Sequence, residues 1–275
     1  MTEHRSEAEE RRSGKQSEPP AYLEAHGLLE GKVVLVTAAA GAGIGFATAK
    51  RCAEEGAELV VISDTHERRL GEAAEQLEAA TGRRPLAVRC DVTVEADVQQ
   101  LFDATVAEAG RVDVAVNNAG LGGTANLVDM TDEQWFAVLD VTLTGTFRCT
   151  RAALRHMVPR RSGVVVNNAS VLGWRAQPGQ AHYAAAKAGV MALTRTAAME
   201  GAAAGVRVNA VAPSLAMHPF LSKVMDEQTL GQLVQQEAFG RSAEPWEVAN
   251  VIVFLASDYS SYMTGEIVSV SSQHP

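Results

Sequence analysis

The sequence predicts a doubly wound α/β fold in one domain, a Rossmann-type parallel sheet of about seven strands with helices on both faces. Three observations carry that expectation. Short apolar runs suited to buried parallel strands recur along the chain, among them Lys32-Val-Val-Leu-Val36 and Val164-Val-Val166. Longer amphipathic stretches separate them, and right-handed crossovers turn such alternation into a parallel sheet. The first apolar run passes directly into a glycine-rich turn, Thr37-Ala-Ala-Ala-Gly41-Ala-Gly43-Ile44-Gly45.

The elements follow in order. A strand over Lys32–Val36 leads through the glycine turn into a helix over Phe46–Glu55, and a second strand, Glu58–Ser63, ends at Asp64. Helix Glu67–Ala80 precedes strand Pro85–Cys90, and helix Glu95–Ala109 precedes strand Val112–Val116. Asp132–Met157 reads as one long helix. It is followed by strand Gly163–Asn168, helix Ala181–Ala204, strand Arg207–Val211, helix Pro245–Ser257 and strand Glu266–Val270. This winding places all strand C-termini on one edge, and the polar motifs with them. Ser214–Gly240 breaks the rhythm, because Leu215, Met217, Phe220, Leu221, Val224 and Met225 recur at near-helical spacing with no strand pattern. It is expected either as a mobile apolar lid or as a helical pair packed permanently on its neighbours. Residues 1–25, rich in Glu, Arg, Ser and Pro, are expected as a disordered tail, which leaves 26–275 as the domain.

Composition narrows the class. The 275 residues are 47% hydrophobic in short runs, and none of these approaches the about 18 apolar residues of a membrane span. The first twenty residues contain no apolar stretch of a signal peptide, so a cytoplasmic enzyme is expected. A net charge of −9 argues against nonspecific nucleic-acid binding. Cys52, Cys90 and Cys149 lack metal-ligand spacing and read as reduced packing residues, with no metal site.

Two constellations carry chemistry. Tyr183 and Lys187 stand four apart on a predicted helix, one turn from each other on one face, and Ser170 lies thirteen positions before the tyrosine at the end of a buried strand. An ammonium beside a phenol favours the phenolate, and lowering a tyrosine pKa by about 3 units takes roughly 4 kcal/mol of differential interaction. Taken alone, such a Tyr–Lys pair also arises by chance on many helices. The glycine turn between strand and helix lets backbone N–H groups approach a pyrophosphate, and Asp64, nineteen residues after Gly45, is placed to accept ribose hydroxyls. A carboxylate there favours NAD over NADP. Arg68 and Arg69 are expected on the following helix, facing solvent.

With Cys90-Asp91-Val92, Asn117-Asn118-Ala119-Gly120 and Val208-Asn-Ala-Val-Ala-Pro213 in the same order, residues 28–270 resemble the short-chain dehydrogenase/reductase family. The resemblance implies interconversion of a secondary alcohol and a ketone, with Tyr183 as proton carrier, Ser170 bonded to the substrate oxygen and Lys187 lowering the tyrosine pKa. It places Thr37, Gly41, Gly43, Ile44, Asp64, Asp91, Val92, Asn118, Ala119 and Ala216, together with Tyr183 and Lys187, on the cofactor. Trp174, Arg175 and His182 border the substrate cleft, and His218 either meets the nicotinamide carboxamide, caps the lid or contacts substrate; Trp174 is either a stacking surface or a packing anchor, and Arg175 either pairs with a carboxylate or phosphate or lies at a subunit interface. The stretches Thr37–Gly41, Asn167–Arg175 and Val270–Pro275 are similar to a bacterial subgroup of reductases acting on bicyclic coenzyme A thioesters in steroid ring degradation.

Departures from the family pattern limit that transfer. Ala38 replaces a glycine, Thr142 stands where an asparagine usually holds a relay water, and Ser271-Ser272-Gln273 replaces an acidic, glycine-containing end. Two contrasting readings are a 3-oxoacyl-thioester reductase of fatty-acid metabolism and a silent NAD-binding scaffold. The helices Asp132–Met157 and Ala181–Ala204 resemble those that build the family's homotetramer, with a homodimer as the alternative. Their small residues could equally seat each helix on its own sheet.

Overall fold

In the structure, a computed structural model that describes residues 17–217 and 227–273, all five side chains of β1 (Val33–Thr37) are buried. A strand covered on both faces has no solvated side, which is why it reads as continuous valine and leucine. The sheet runs β3 (Leu86–Arg89), β2 (Leu59–Asp64), β1, β4 (Val114–Asn117), β5 (Gly163–Asn168), β6 (Val206–Pro213), β7 (Ile267–Val270), parallel throughout. Chain order reverses between β1 and β4. Sheets of this kind bind ligands at the strand C-termini beside such a reversal.

Successive side chains of one strand feed opposite cores. Val34 and Val36 pack with α1 (Ile44–Glu54), α2 (Glu67–Thr81) and the later helix Pro245–Ala256, while Leu35 packs with α3 (Glu95–Ala109) and the helices Gly145–Arg160 and Ala181–Ala202. Both α2 and α3 stop at a glycine in the left-handed region, Gly82 (φ 70°) and Gly110 (φ 74°), where the chain must leave the helix.

The long helix expected over Asp132–Met157 is three pieces: α4 (Asp132–Leu139), a single π turn over Asp140–Thr144, and α5 (Gly145–Arg160). The wide turn re-aims the chain so that Thr142 points at the loop after β4. Gly145 then comes so close to the chain just past β3 that a Cβ would lie 2.6 Å from Val92 Cγ2. The remaining helices are α6 (Ala181–Ala202), α7 (Glu227–Gln235) and α8 (Pro245–Ala256). Within Ser214–Gly240, Glu227–Gln235 is helical as the spacing predicts, whereas Leu215–Met217 is not and Ala216 bridges Ala243; residues 218–226, and with them His218, lie outside the described residues.

Residues 17–28 form neither helix nor strand, yet Ser17 donates to the Phe239 carbonyl and the stretch from Tyr22 onward is tied down. Arg51 donates to the carbonyls of Leu23 (2.6 Å) and Glu24 (3.0 Å), and Glu55 accepts from His26 N (2.9 Å) and Leu28 N (3.0 Å). Tyr22 packs edge-on against Trp246 at 5.4 Å. Arg51 and Glu55, two buried charges at the C-terminal end of α1, need such backbone partners.

Candidate active site

The glycine turn presents unsatisfied donors at the strand C-termini. Gly43 caps α1 with no side-chain hydrogen bond, the first turn of α1 carries no acidic residue, and Gly41 (φ 149°) has open space where a Cβ would stand. Free N–H groups at a helix N-terminus favour an anion, so this chain's residues fit the pyrophosphate of a dinucleotide. Ala38, where a glycine was expected, sits at φ 51° and bears the left-handed strain itself. Thr37 and Asn118 brace the turn. Thr37 Oγ1 accepts from Asn118 N (3.0 Å) and Ala119 N (3.1 Å), and Asn118 Nδ2 donates to the carbonyls of Thr37 (3.2 Å) and Ala38 (3.1 Å).

At the adenosine end, Asp64 Oδ1 accepts from His66 N at 3.1 Å, and burial raises the carboxyl pKa. Arg68 faces solvent as expected and pairs with Glu72; Arg69 is also partly exposed, but its Nη2 turns to within 4.0 Å of Asp64 Oδ1. A half-buried carboxylate draws in the nearest cation on the next helix. Asp91 Oδ1 is held by Thr93 N (2.9 Å), and the Val92 carbonyl accepts from Arg148 (3.3 Å). Ala216 is fixed by a bridge to Ala243.

The reacting groups meet where β5 ends. Ser170 leaves the strand with extended backbone, its Oγ accepting from Leu172 N (3.2 Å), and its hydroxyl stands close enough to the phenol of Tyr183 to favour the phenolate. One turn further along α6, the Lys187 side chain is 3% exposed; its Nζ donates to the Asn168 carbonyl at 2.5 Å and lies 5.5 Å from the centre of the Tyr183 ring. Burial lowers the Lys187 pKa to about 8. Tyr183 moves the other way: burial raises its pKa, and the Ser170 hydroxyl opposes without reversing it. The expected lowering by Lys187 is thus not present in the protein alone, because the ammonium is directed at Asn168 rather than at the phenol oxygen.

This has a consequence for stability. The folded state binds the Lys187 proton more weakly than the unfolded chain, so the burial penalty is complete below pH about 8 and vanishes above 10.5. Lys187→Met should therefore gain on wild type at pH 7, and wild type should recover up to about 3 kcal/mol of that difference between pH 8 and 10.5. Cofactor-free thermal unfolding across that range checks it; a difference independent of pH would contradict the buried-ammonium description.

Thr142 Oγ1 accepts from Leu121 N (2.9 Å) and donates to Leu121 O (3.1 Å). Its single proton is spent on holding this loop. A Cβ at Gly120 would stand 3.5 Å from Lys187 Nζ and 3.8 Å from Thr142 Oγ1, so the two groups face one small space, with one lone pair of the hydroxyl left for a water. His182 is turned inward: buried, its Nδ1 accepts from Tyr183 N (2.9 Å), satisfying a first-turn donor of α6 and fixing the Nε2–H tautomer. Trp174 is 49% exposed, and Arg175 Nη1 donates to Gln273 Oε1 at 2.5 Å.

Several residues that build the site were not singled out by sequence reasoning. Asn168 holds Lys187 through its carbonyl and Asn118 through its side chain (2.9 Å). Asn117, Asn167, Thr150 and Thr194 form a buried network beneath it, with Asn117 Nδ2 to Asn167 Oδ1 at 2.8 Å. The signal was available: asparagines closing an apolar strand must find partners.

A sheet in this order, carrying this serine, tyrosine and lysine at its C-terminal edge, is the architecture of one family, and the comparison of sequences agrees. The chain belongs to the short-chain dehydrogenase/reductase family, with residues 38–272 matching the branch described as enoyl-(acyl carrier protein) reductase. Like the family, it is an oxidoreductase acting on CH–OH groups with a nicotinamide cofactor. It is similar to the (5R,7aS)-5-hydroxy-7a-methyl-1-oxo-2,3,5,6,7,7a-hexahydro-1H-indene-carboxyl-CoA reductase of Mycobacterium tuberculosis, 63% identical over 257 residues, 93% of this chain and 98% of that one. A short chain dehydrogenase from Mycobacterium smegmatis, known as a crystal structure, superposes with a TM-score of 0.83 at 60% identity, covering 95% of this chain and 100% of that one. The 3-oxoacyl-(acyl carrier protein) reductase of Thermotoga maritima is 41% identical over 242 residues, 88% of this chain and 97% of its own.

Proposed function

We propose that the protein is an NAD(H)-linked reductase of a ring ketone, and oxidant of the matching alcohol, on the coenzyme A thioester of a fused bicyclic acid. The observation that carries the substrate class is the 63% identity, over nearly the whole of both chains, to a reductase of such a thioester. The reductases of 3-oxoacyl thioesters stand further off, at 41% identity, which makes that reading the weaker one.

When bound, the nicotinamide ring supplies or takes up the hydride. The rest falls to this chain. In reduction Tyr183 Oη delivers its proton to the substrate oxygen while Ser170 Oγ–H bonds the same oxygen, so negative charge never builds up unpaired. A phenol whose pKa burial has raised holds that proton at neutral pH, which suits the reducing direction. Lys187, still an ammonium below pH about 8, offsets the phenolate left behind, and its bond to Asn168 keeps it in register. Thr142 contributes the free lone pair that would seat a relay water.

Trp174 offers an exposed flat face to the bicyclic rings, and Arg175 an anion partner; His182 acts by fixing Tyr183. Asp64 favours NAD, with Arg69 at 4.0 Å moderating its charge. Asp64→Ala should narrow the ratio of kcat/KM for NADH over NADPH by about tenfold, and an unchanged ratio would remove Asp64 from cofactor choice. Exposed Phe136, Phe147 and Met199 on α4–α6, and Tyr259 and Tyr262 beside β7, are the apolar surfaces a homotetramer would cover. Among the described residues no helix is long and apolar enough to cross a membrane, which fits a cytoplasmic enzyme.

The test is NADH consumption with a panel of bicyclic keto-acyl-CoA, linear 3-oxoacyl thioesters and free ketones. The bicyclic thioester is expected to give the highest kcat/KM. A linear 3-oxoacyl thioester in first place would replace this reading, and no consumption at all would return the chain to a scaffold.

A further inference from the structure

We infer that the C-terminal Ser272–Gln273 is part of the substrate site, with Gln273 positioning the Arg175 guanidinium to receive a phosphate of the thioester's coenzyme A arm. The inference rests on the acyl-CoA reading above. Its material is a cluster that joins three segments far apart in sequence.

Gln273 Oε1 accepts from Arg175 Nη1 at 2.5 Å. Its neighbour Ser272 donates from Oγ to Glu237 Oε2 (2.9 Å), and the Ser272 carbonyl accepts from Ala238 N (2.6 Å). The other oxygen of Glu237 accepts from Leu215 N at 3.3 Å. Glu237 is 3% exposed, and a buried carboxylate persists only where hydrogen bonds surround it. Here those bonds come from the start of the Ser214–Gly240 segment and from the C-terminus. The end of the chain is thereby fastened to the segment that flanks the cleft, five residues on from Ser170 by way of Arg175.

The chemistry of the Arg175 partner decides what this fastening is for. A carboxylate would orient the guanidinium and cancel its charge; the amide of Gln273 orients it and leaves the charge whole. Among the described residues Arg175 makes no ion pair, whereas the partly buried Arg241 pairs with Glu247. Trp174 beside it is exposed, so the unspent donors stand at the mouth of the cleft rather than in the core. An oriented, uncancelled fork of N–H donors matches a phosphate bidentately. The acyl and thioester carbonyls carry no charge, and the phosphates of coenzyme A do.

The test compares one acyl group presented as its coenzyme A thioester and as its pantetheine thioester, which lacks the phosphates. Gln273→Ala should raise KM for the coenzyme A thioester about tenfold and shift KM for the pantetheine thioester less than about twofold. Gln273→Glu separates orientation from charge: it keeps the acceptor oxygen and the fold, so thermal unfolding should hold or rise, yet it cancels the guanidinium and should raise the same KM at least as much. In an Arg175→Gln background the Gln273 changes should add nothing further. A Gln273→Glu enzyme with unchanged KM, or equal rises for both thioesters, overturns the inference while leaving the function standing. Wild type that turns over neither thioester overturns both.

Discussion

Tyr183→Phe is expected to lower kcat for ketone reduction by at least about 10²-fold, and to leave NADH binding within a small factor of wild type. The substitution keeps the ring that α6 packs and removes only the oxygen beside Ser170, the proposed proton carrier. Lys187 cannot take over, because its Nζ is committed to the Asn168 carbonyl and lies 5.5 Å from the ring centre. The loss should fall on kcat rather than on KM, since the missing proton matters only as charge develops on the substrate oxygen. NADH fluorescence titration beside steady-state kinetics reads both quantities. Near wild-type turnover would remove Tyr183 from the mechanism.

Gly45→Ala is expected to be as damaging by another route. A Cβ at this position would press into the Ala38 carbonyl oxygen and come within 2.5 Å of Asn118 Nδ2. Neither neighbour can yield cheaply: Ala38 already sits at φ 51°, and Asn118 Nδ2 is bonded to the Thr37 and Ala38 carbonyls. Overpacking against backbone costs about 1–3 kcal/mol, and here it displaces the turn whose N–H groups face the pyrophosphate. A Tm decrease together with a rise in NADH Kd of about tenfold or more is the expected result. Normal cofactor affinity in the variant would mean that the turn does not hold the dinucleotide.

Strands were legible because a doubly covered sheet leaves no choice of residue. The valine runs at Val33–Val36 and Val164–Val166 have no other use, and helix Glu95–Ala109 was bounded correctly by its closing Gly110. Tyr183 and Lys187 were legible for a different reason, since spacing on one helix fixes one face, and Ser170 because it follows the end of an apolar strand. The π turn at Asp140–Thr144 was not, because apolar periodicity runs through it and only the distant Leu121 gives Thr142 its direction. Nor was the partner of Lys187: a backbone carbonyl has no signature in a sequence. The pKa directions depend on burial by the whole fold, which is why spacing suggested a lowered tyrosine and the structure gives a raised one. Arg69 turning to Asp64, and Gln273 meeting Arg175 across the fold, likewise follow from the packing of separate elements.

The central claim is that this site moves a hydride and a proton across a carbon–oxygen double bond. Its most direct test is the fate of the label when wild type reduces the bicyclic keto-acyl-CoA with NADH deuterated at C4 of the nicotinamide. The account predicts one deuterium on the carbinol carbon of the product, with Tyr183→Phe giving almost none in the same time. Deuterium on a saturated ring carbon instead would mean reduction of a carbon–carbon double bond, the reaction in the name of the matched family branch, and would contradict it.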